Sequence, residues 1–198
     1  MDLNIVFVSF LMSLLFTSVP TSPKESLTPE AAVSKVFYEP TYSVEVKRDI
    51  TYGYGLSHDS FAFENPTEMA LKLDIYSPKN TLSNRPVVVL IHGGGFRSGT
   101  KDWSQFIDLS NFFASRGWVV FNIDYRLMRH FGSLPKSWAA MIDLRSSSNS
   151  KKNKAKASYP AIRDSKAAIR WIVANKNELG INPGYITVGG GSAGAVAS

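Results

Sequence analysis

The 198-residue chain contains no cysteine. Disulfides, thiolate zinc sites and a cysteine nucleophile are therefore excluded. The compartment stays open, because many secreted domains of this size lack disulfides. Histidine is scarce: only His58, His92 and His130 occur. No metal-ligating cluster is visible, and no phosphate cradle stands apart from one glycine-rich turn, so neither a metal nor a cofactor is expected. Charge is also thin, at 19% of residues, but 44% are hydrophobic and 12% aromatic, which argues against disorder and for one packed domain.

No apolar run is long enough to cross a bilayer comfortably. The longest, Ile5 to Phe16, is broken only by Ser9 and Ser13, a length that suits the core of a signal peptide. The leader departs from that pattern in carrying Asp2 and no Lys or Arg before the run, and in offering no clean A-x-A cleavage site. Residues 1–20 are read as a signal peptide or an uncleaved N-terminal anchor, with a buried helix as the remaining reading. The expected location is secreted or in the endomembrane lumen, or anchored through this segment, with a transient membrane contact there. Residues 21–40, polar and proline-bearing, form a linker, and 41–198 form the domain.

The net charge of +6 is concentrated in "SSSNSKKNKAKAS", which holds Lys151, Lys152, Lys154 and Lys156. No aromatic residue interleaves them, so the run reads as a solvated loop and no nucleic-acid partner is expected.

Val44 to Tyr54 and "LKLDIY" (Leu71 to Tyr76) alternate apolar and polar residues and predict two neighbouring antiparallel strands. "PVVVLI" (Pro86 to Ile91), "WVVFNI" (Trp118 to Ile123) and "YITV" (Tyr185 to Val188) are continuous β-branched and aliphatic runs, as in strands buried on both faces. Between the first two, Trp103, Phe106, Ile107, Ser110, Phe113 and Ala114 share one helical face. Between the second and third, a helix spans Tyr159 to Gly180, with Pro160 in its first turn and a stripe of Ile162, Ser165, Ile169, Ile172 and Val173. Strand, helix, strand, helix, strand predicts parallel crossovers in an α/β layered fold. Residues 133–158 interrupt the rhythm as an insertion with a short helix over Ser137 to Leu144. It is either a cap beside the ligand site or a disordered surface loop.

The last buried run leads into "VGGGSAGA". Gly190 to Gly194 fit G-x-S-x-G, a strand-to-helix turn tight enough to strain the backbone of Ser192 and hold its hydroxyl over the sheet. Gly189, Gly191 and Gly194 equally fit the dinucleotide fingerprint G-x-G-x-x-G. A second motif separates the two readings. His92-Gly93-Gly94-Gly95 follows the first buried run directly, and an HGGG loop supplies backbone N–H groups to an oxyanion hole. A dinucleotide-binding domain has no use for it. The donors would be Gly94, Gly95 and Ala193.

With "LDIYSP", "VVVLIHGGGFRSGTK", "VVFNIDYRL", "YPAIRDSKAAIRWIVAN" and "GGGSAG" in this order, the chain from Val44 to Ser198 resembles the α/β-hydrolase family, in particular carboxylesterases of the hormone-sensitive-lipase-like and feruloyl-esterase-like groups. The resemblance implies a mostly parallel sheet with flanking helices. It implies Ser192 as nucleophile, with Gly94, Gly95 and Ala193 as the hole and Gly93, Gly190 and Gly194 as motif support. His92 would shape the loop without acting as base. Asp124-Tyr125-Arg126 and Asp164 would be structural. The substrate would be a small or lipid-like ester, an amide or formamide remaining open. Phe96, Trp103 and Trp138 are read first as core, with Phe96 the best pocket candidate because it directly follows the hole. In this family the acid and the histidine follow the serine, yet Ala193 to Ser198 contain neither. The expectation is therefore an N-terminal part of the fold without its later strands and helices, and with little or no esterase activity alone. His130 is a weak substitute base, being read as a surface residue, and His58 as a solvent-exposed one. A non-catalytic relic used for binding is the alternative function.

Overall fold

The apolar runs form the middle of a six-stranded sheet in the computed structural model, which describes residues 5–7 and 36–198. The strands are β1 (Ile5–Phe7), β2 (Val44–Ser57), β3 (Thr67–Pro78), β4 (Arg85–Ile91), β5 (Val119–Ile123) and β6 (Ile181–Gly190). The helices are α1 (Ser104–Ala114), α2 (Lys136–Arg145), α3 (Asn149–Ala174) and α4 (Ala193–Ala197), with a 3-10 turn at Met128–His130. The order across the sheet is β1-β6-β4-β5-β3-β2. β2 and β3 are antiparallel, β3 meets β5 antiparallel, and β5, β4, β6 and β1 run parallel. Most of the leader and of the linker lies outside the described residues. Three residues of the apolar leader run, Ile5–Phe7, pair with Ile186–Val188 as edge strand β1.

All seven residues of β4 and all five of β5 are buried. Their side chains alternate between two cores, as the pleat demands. Val87, Val89, Ile91, Val119, Phe121 and Ile123 pack with Ala161, Ala168 and Ile172 of α3. Val88, Leu90 and Val120 face the other way, onto Phe106 and Ala114 of α1. A two-sided run thus yields three layers.

α3 begins at Asn149, ten residues before the predicted start, so Pro160 lies inside the helix and not in its first turn. Alanine and lysine are good helix formers, Ser148 accepts a hydrogen bond from the Lys151 amide, and Lys152 and Lys156, one turn apart, both reach Asp143 of α2. The lysine run is therefore helical and not a loop. The buried stripe is Ala157, Ala161, Asp164, Ser165, Ala168 and Ile172, rotated from the predicted one; Ile162 and Ile169 sit at its margin. Its centre is a carboxylate because Arg126 lies opposite. Asp164 accepts hydrogen bonds from Arg126 Nη2 at 2.7 Å and from Arg126 Nε and the Arg126 amide at 2.9 Å each.

The chain leaves β4 toward α1 on one face, and leaves β6 toward α4, which packs against α3 on the other. The loops diverge at the carboxyl ends of two adjacent parallel strands. That is the crevice where open α/β sheets bind ligands.

Candidate active site

Both glycine motifs sit in this crevice, about 100 residues apart in sequence. Ser192 links β6 to α4 with φ 52° and ψ −112°, a conformation open to few non-glycine residues. Strain of this kind costs about 1–3 kcal/mol and persists only where the surroundings impose it. The imposing contact is close. A Cβ on Gly194 would stand 2.0 Å from the Ile91 carbonyl oxygen and 2.7 Å from that of His92. The first turn of α4 is thus pressed onto the end of β4, and only a hydrogen fits there. Gly194 N–H donates to Gly191 O at 2.8 Å, which closes the turn. Ser192 itself is exposed, whereas Ala193 and Gly194 are buried.

The His92–Gly95 loop lies directly across. A Cβ on Gly93 would fall 3.6 Å from Ser192 Cβ and 2.8 Å from Gly191 O. Gly94 has φ +103° and its missing side chain would meet Ser98 O. Its own carbonyl accepts from the amides of Arg97 and Ser98, at 3.0 and 3.2 Å, so it turns back into the loop. Among the described residues, the amides of Gly94, Gly95 and Ala193 donate to no protein acceptor; Ala193, first in its helix, has no intrahelical one. A helix N-terminus and a glycine turn next to one hydroxyl make a site suited to negative charge.

The loop is held from beneath. His92 is fully buried and stacks on Tyr125 with ring centroids 4.3 Å apart. His92 Nδ1 lies 2.8 Å from Gly93 O, which places its proton on Nδ1. The opposite nitrogen, Nε2, stands 3.5 Å from Asp124 Oδ1. The Tyr125 hydroxyl donates to His92 O at 2.9 Å, and lies 3.2 Å from Gly93 O. Burial, with Asp124 adjacent, raises the Tyr125 pKa, so the phenol stays a donor. Resemblance alone made Asp124-Tyr125-Arg126 structural; what Tyr125 clamps, the loop opposite, could not be read from the sequence.

Beyond the loop, Lys101 is buried among carboxylates. Its ammonium is 2.9 Å from Asp102, 3.0 Å from Asp74 and 3.2 Å from Asp49. Burial disfavours its charge, but hydrogen bonds to Asp102 and Asp74 outweigh that and raise its pKa. Its amide donates to Asp124 Oδ1 at 2.7 Å and its carbonyl accepts from Asn122 Nδ2 at 3.0 Å. The outer limb of the loop is thereby tied to the end of β5.

Other candidates lie elsewhere. His58 is buried and not solvent-exposed: its Nε2 is 2.8 Å from Ser133 Oγ. His130 is half-buried and not a surface group: its Nδ1 accepts from the Leu127 amide at 2.9 Å. Burial, then Arg129 and Arg126, push its pKa down to about 4. Phe96 packs into the core edge-on to Tyr125. Trp103 is a partly buried member of the α1 core, and Trp138 is exposed against Tyr159. An open cavity of about 440 Å³ is lined by Gly55, Leu56, Arg126, Ser133, Tyr159 and Arg163, among others, and by no residue of either glycine motif. No His/Asp/Glu group able to hold a metal occurs among the described residues, and no described helix is long and apolar enough to cross a membrane.

Comparison with known proteins agrees with this geometry. Residues 55–198 match the model of the Carboxylesterase family. Carboxylesterase NlhH of Mycobacterium tuberculosis is 32% identical over 61% of this chain and 30% of its own length. The para-nitrobenzyl esterase of Bacillus subtilis is 30% identical over 66% of this chain and 24% of its own. Among solved structures, a thermophilic esterase from the Planctomycetes species Thermogutta terrifontis superposes with a TM-score of 0.50 at 28% identity, covering 78% of this chain and 41% of that one. The chain therefore spans less than a third of the length of these two curated relatives.

Proposed function

The chain belongs to the carboxylesterase family of α/β-hydrolases, and from that premise we propose that the whole protein hydrolyses carboxylic esters through an acyl-enzyme on Ser192. The observation that carries the proposal is the approach of the two glycine motifs, with the Gly93 Cβ position 3.6 Å from Ser192 Cβ. The Ser192 hydroxyl oxygen attacks the ester carbonyl carbon while its proton passes to a base. The carbonyl oxygen becomes an oxyanion, which accepts hydrogen bonds from Gly94, Gly95 and Ala193. Each such donor typically supplies about 3–4 kcal/mol to the transition state. Collapse expels the alcohol, and water then cleaves the acyl-serine to release the acid. The T. terrifontis esterase has also been solved phosphorylated by paraoxon, the behaviour expected of an activated nucleophile.

The base is not among these residues. His58 engages Ser133, His92 engages Gly93 O, and His130 accepts from Leu127. We therefore expect the 198 residues alone to turn over esters poorly, and the whole protein to supply histidine and acid from other segments. The apolar leader run supports a secreted or lumenal location, or N-terminal anchoring.

The test is hydrolysis of 4-nitrophenyl acetate, with covalent labelling by a fluorophosphonate, in the whole protein and its Ser192→Ala variant. Turnover and labelling that vanish together on substitution support the reading. A protein that neither labels nor turns over is instead a non-catalytic member used for binding.

A further inference from the structure

α3 carries its core-facing stripe beyond the sheet. Read backward from Ile172 through Ala168, Ala161 and Ala157, the next position on the same face, three residues earlier, is Lys154. There the helix has passed the carboxyl ends of the strands, and what it faces is the glycine loop. A Cβ on Gly95 would touch Lys154 Cε at 4.0 Å, its nearest contact. The lysines on the neighbouring face behave differently, since Lys152 and Lys156 are both spent on Asp143 of α2. Lys154 is exposed and makes no ion pair among the described residues.

The two motif segments beside it hold no compensating acid. Residues 92–99 and 189–198, which form both walls of the crevice, contain no Asp or Glu. Asp124, the carboxylate next to His92, is directed at the Lys101 amide. A cation on a flexible stem thus stands beside Gly95, whose amide is one of those assigned to the oxyanion. An exposed lysine with no ion pair among the described residues, held beside the glycine loop by α3, is arranged to meet a charge that the substrate brings.

We propose that Lys154 is a specificity-determining residue that favours esters bearing a carboxylate over their neutral counterparts. The proposal rests on the ester-hydrolase reading above. Two unit charges about 5–7 Å apart in a partly screened environment attract enough to change kcat/KM about 3- to 10-fold, an advantage that shrinks with added salt.

The experiment measures kcat/KM of the whole protein on two matched pairs. One is 4-nitrophenyl hemisuccinate against 4-nitrophenyl succinamate, with the charge on the acyl side. The other is 4-acetoxybenzoate against 4-acetoxybenzamide, with the charge on the leaving side. In at least one pair the charged-to-neutral ratio is expected to fall about 3- to 10-fold in Lys154→Met, to persist in Lys154→Arg, and to decline toward the variant's value in 0.5 M salt. Lys166→Met, an exposed lysine about three turns further along α3 and on another face, leaves the ratio unchanged. A ratio untouched by Lys154→Met in both pairs overturns the proposal. Failure to hydrolyse the neutral members at all would instead strike at the esterase reading, so the two failures are distinguishable.

Discussion

Gly93→Ala places a methyl group where the two halves of the site meet. The new carbon would lie 2.8 Å from Gly191 O, against about 3.4 Å for ordinary contact, so loop and elbow must part by about 0.6 Å. Neither side can yield cheaply. Gly191 is backbone between a buried strand and a helix, and the loop is clamped by the Tyr125 hydroxyl and the His92 stack. A displacement of about 1 Å can cost about 100-fold in rate, and loss of one oxyanion donor about 100- to 1,000-fold. We therefore expect kcat/KM on 4-nitrophenyl acetate to fall about 10- to 100-fold in the whole protein. The stability cost should be about 1 kcal/mol, as for a local overpacking. Gly53→Ala is the control, because a Cβ there meets nothing within 4 Å and no positive φ is involved. It should keep full activity and lose no stability. A Gly93→Ala protein with kcat/KM within twofold of the parent would show that the approach of loop and elbow does not set the rate, and the site's geometry would have to be reread.

Two further outcomes follow from buried polar groups. Asp164→Ala strips the carboxylate partner from Arg126, a residue only 8% exposed. It should lower unfolding stability in urea by about 3–5 kcal/mol, whereas the apolar double replacement Arg126→Met with Asp164→Leu should recover most of that loss. His130 has a folded pKa depressed to about 4 from 6.5. Its contribution to stability is present above pH 6.5, falls as the pH drops toward 4, and is flat below, because the unfolded chain binds the proton first. The group is half-buried, so about 1–2 kcal/mol is expected after allowing for solvent screening. The wild-type minus His130→Gln difference in stability should trace that slope, and a difference independent of pH would show that the ring does not titrate in this way.

The strands that shape the crevice were readable because burial on both faces leaves an unbroken apolar run, as in β4 and β5; β6, expected to be the same, buries only Ile181, Ile186 and Val188 and leaves Tyr185 exposed. The elbow and the loop were readable because glycine is demanded where backbone meets backbone, as at Gly194 against Ile91 and His92. What periodicity alone could not place is polar and buried. Asp164 breaks an apolar stripe, so periodicity alone rotates the α3 face toward Ile162 and Ile169; only its pairing with Arg126, 38 residues away, restores the register. The Lys101 cluster unites Asp49, Asp74 and Asp102 from three separate segments, and no local pattern announces such a meeting. The start of α3 was hidden for another reason. A lysine- and serine-rich stretch looks solvated, yet alanine and lysine favour the helix, and Asp143 on a neighbouring helix fastens it.

The seating of Gly194 on the end of β4 has a consequence for the newborn protein. Synthesis proceeds from the N-terminus, so the amide-bearing loop leaves the ribosome about 100 residues ahead of the serine. Until β6 slides in beside β4, nothing presses the turn around Ser192 into its costly shape. The backbone of an unfinished chain is then free to relax at Ser192. Completing the sheet is what bends it into place.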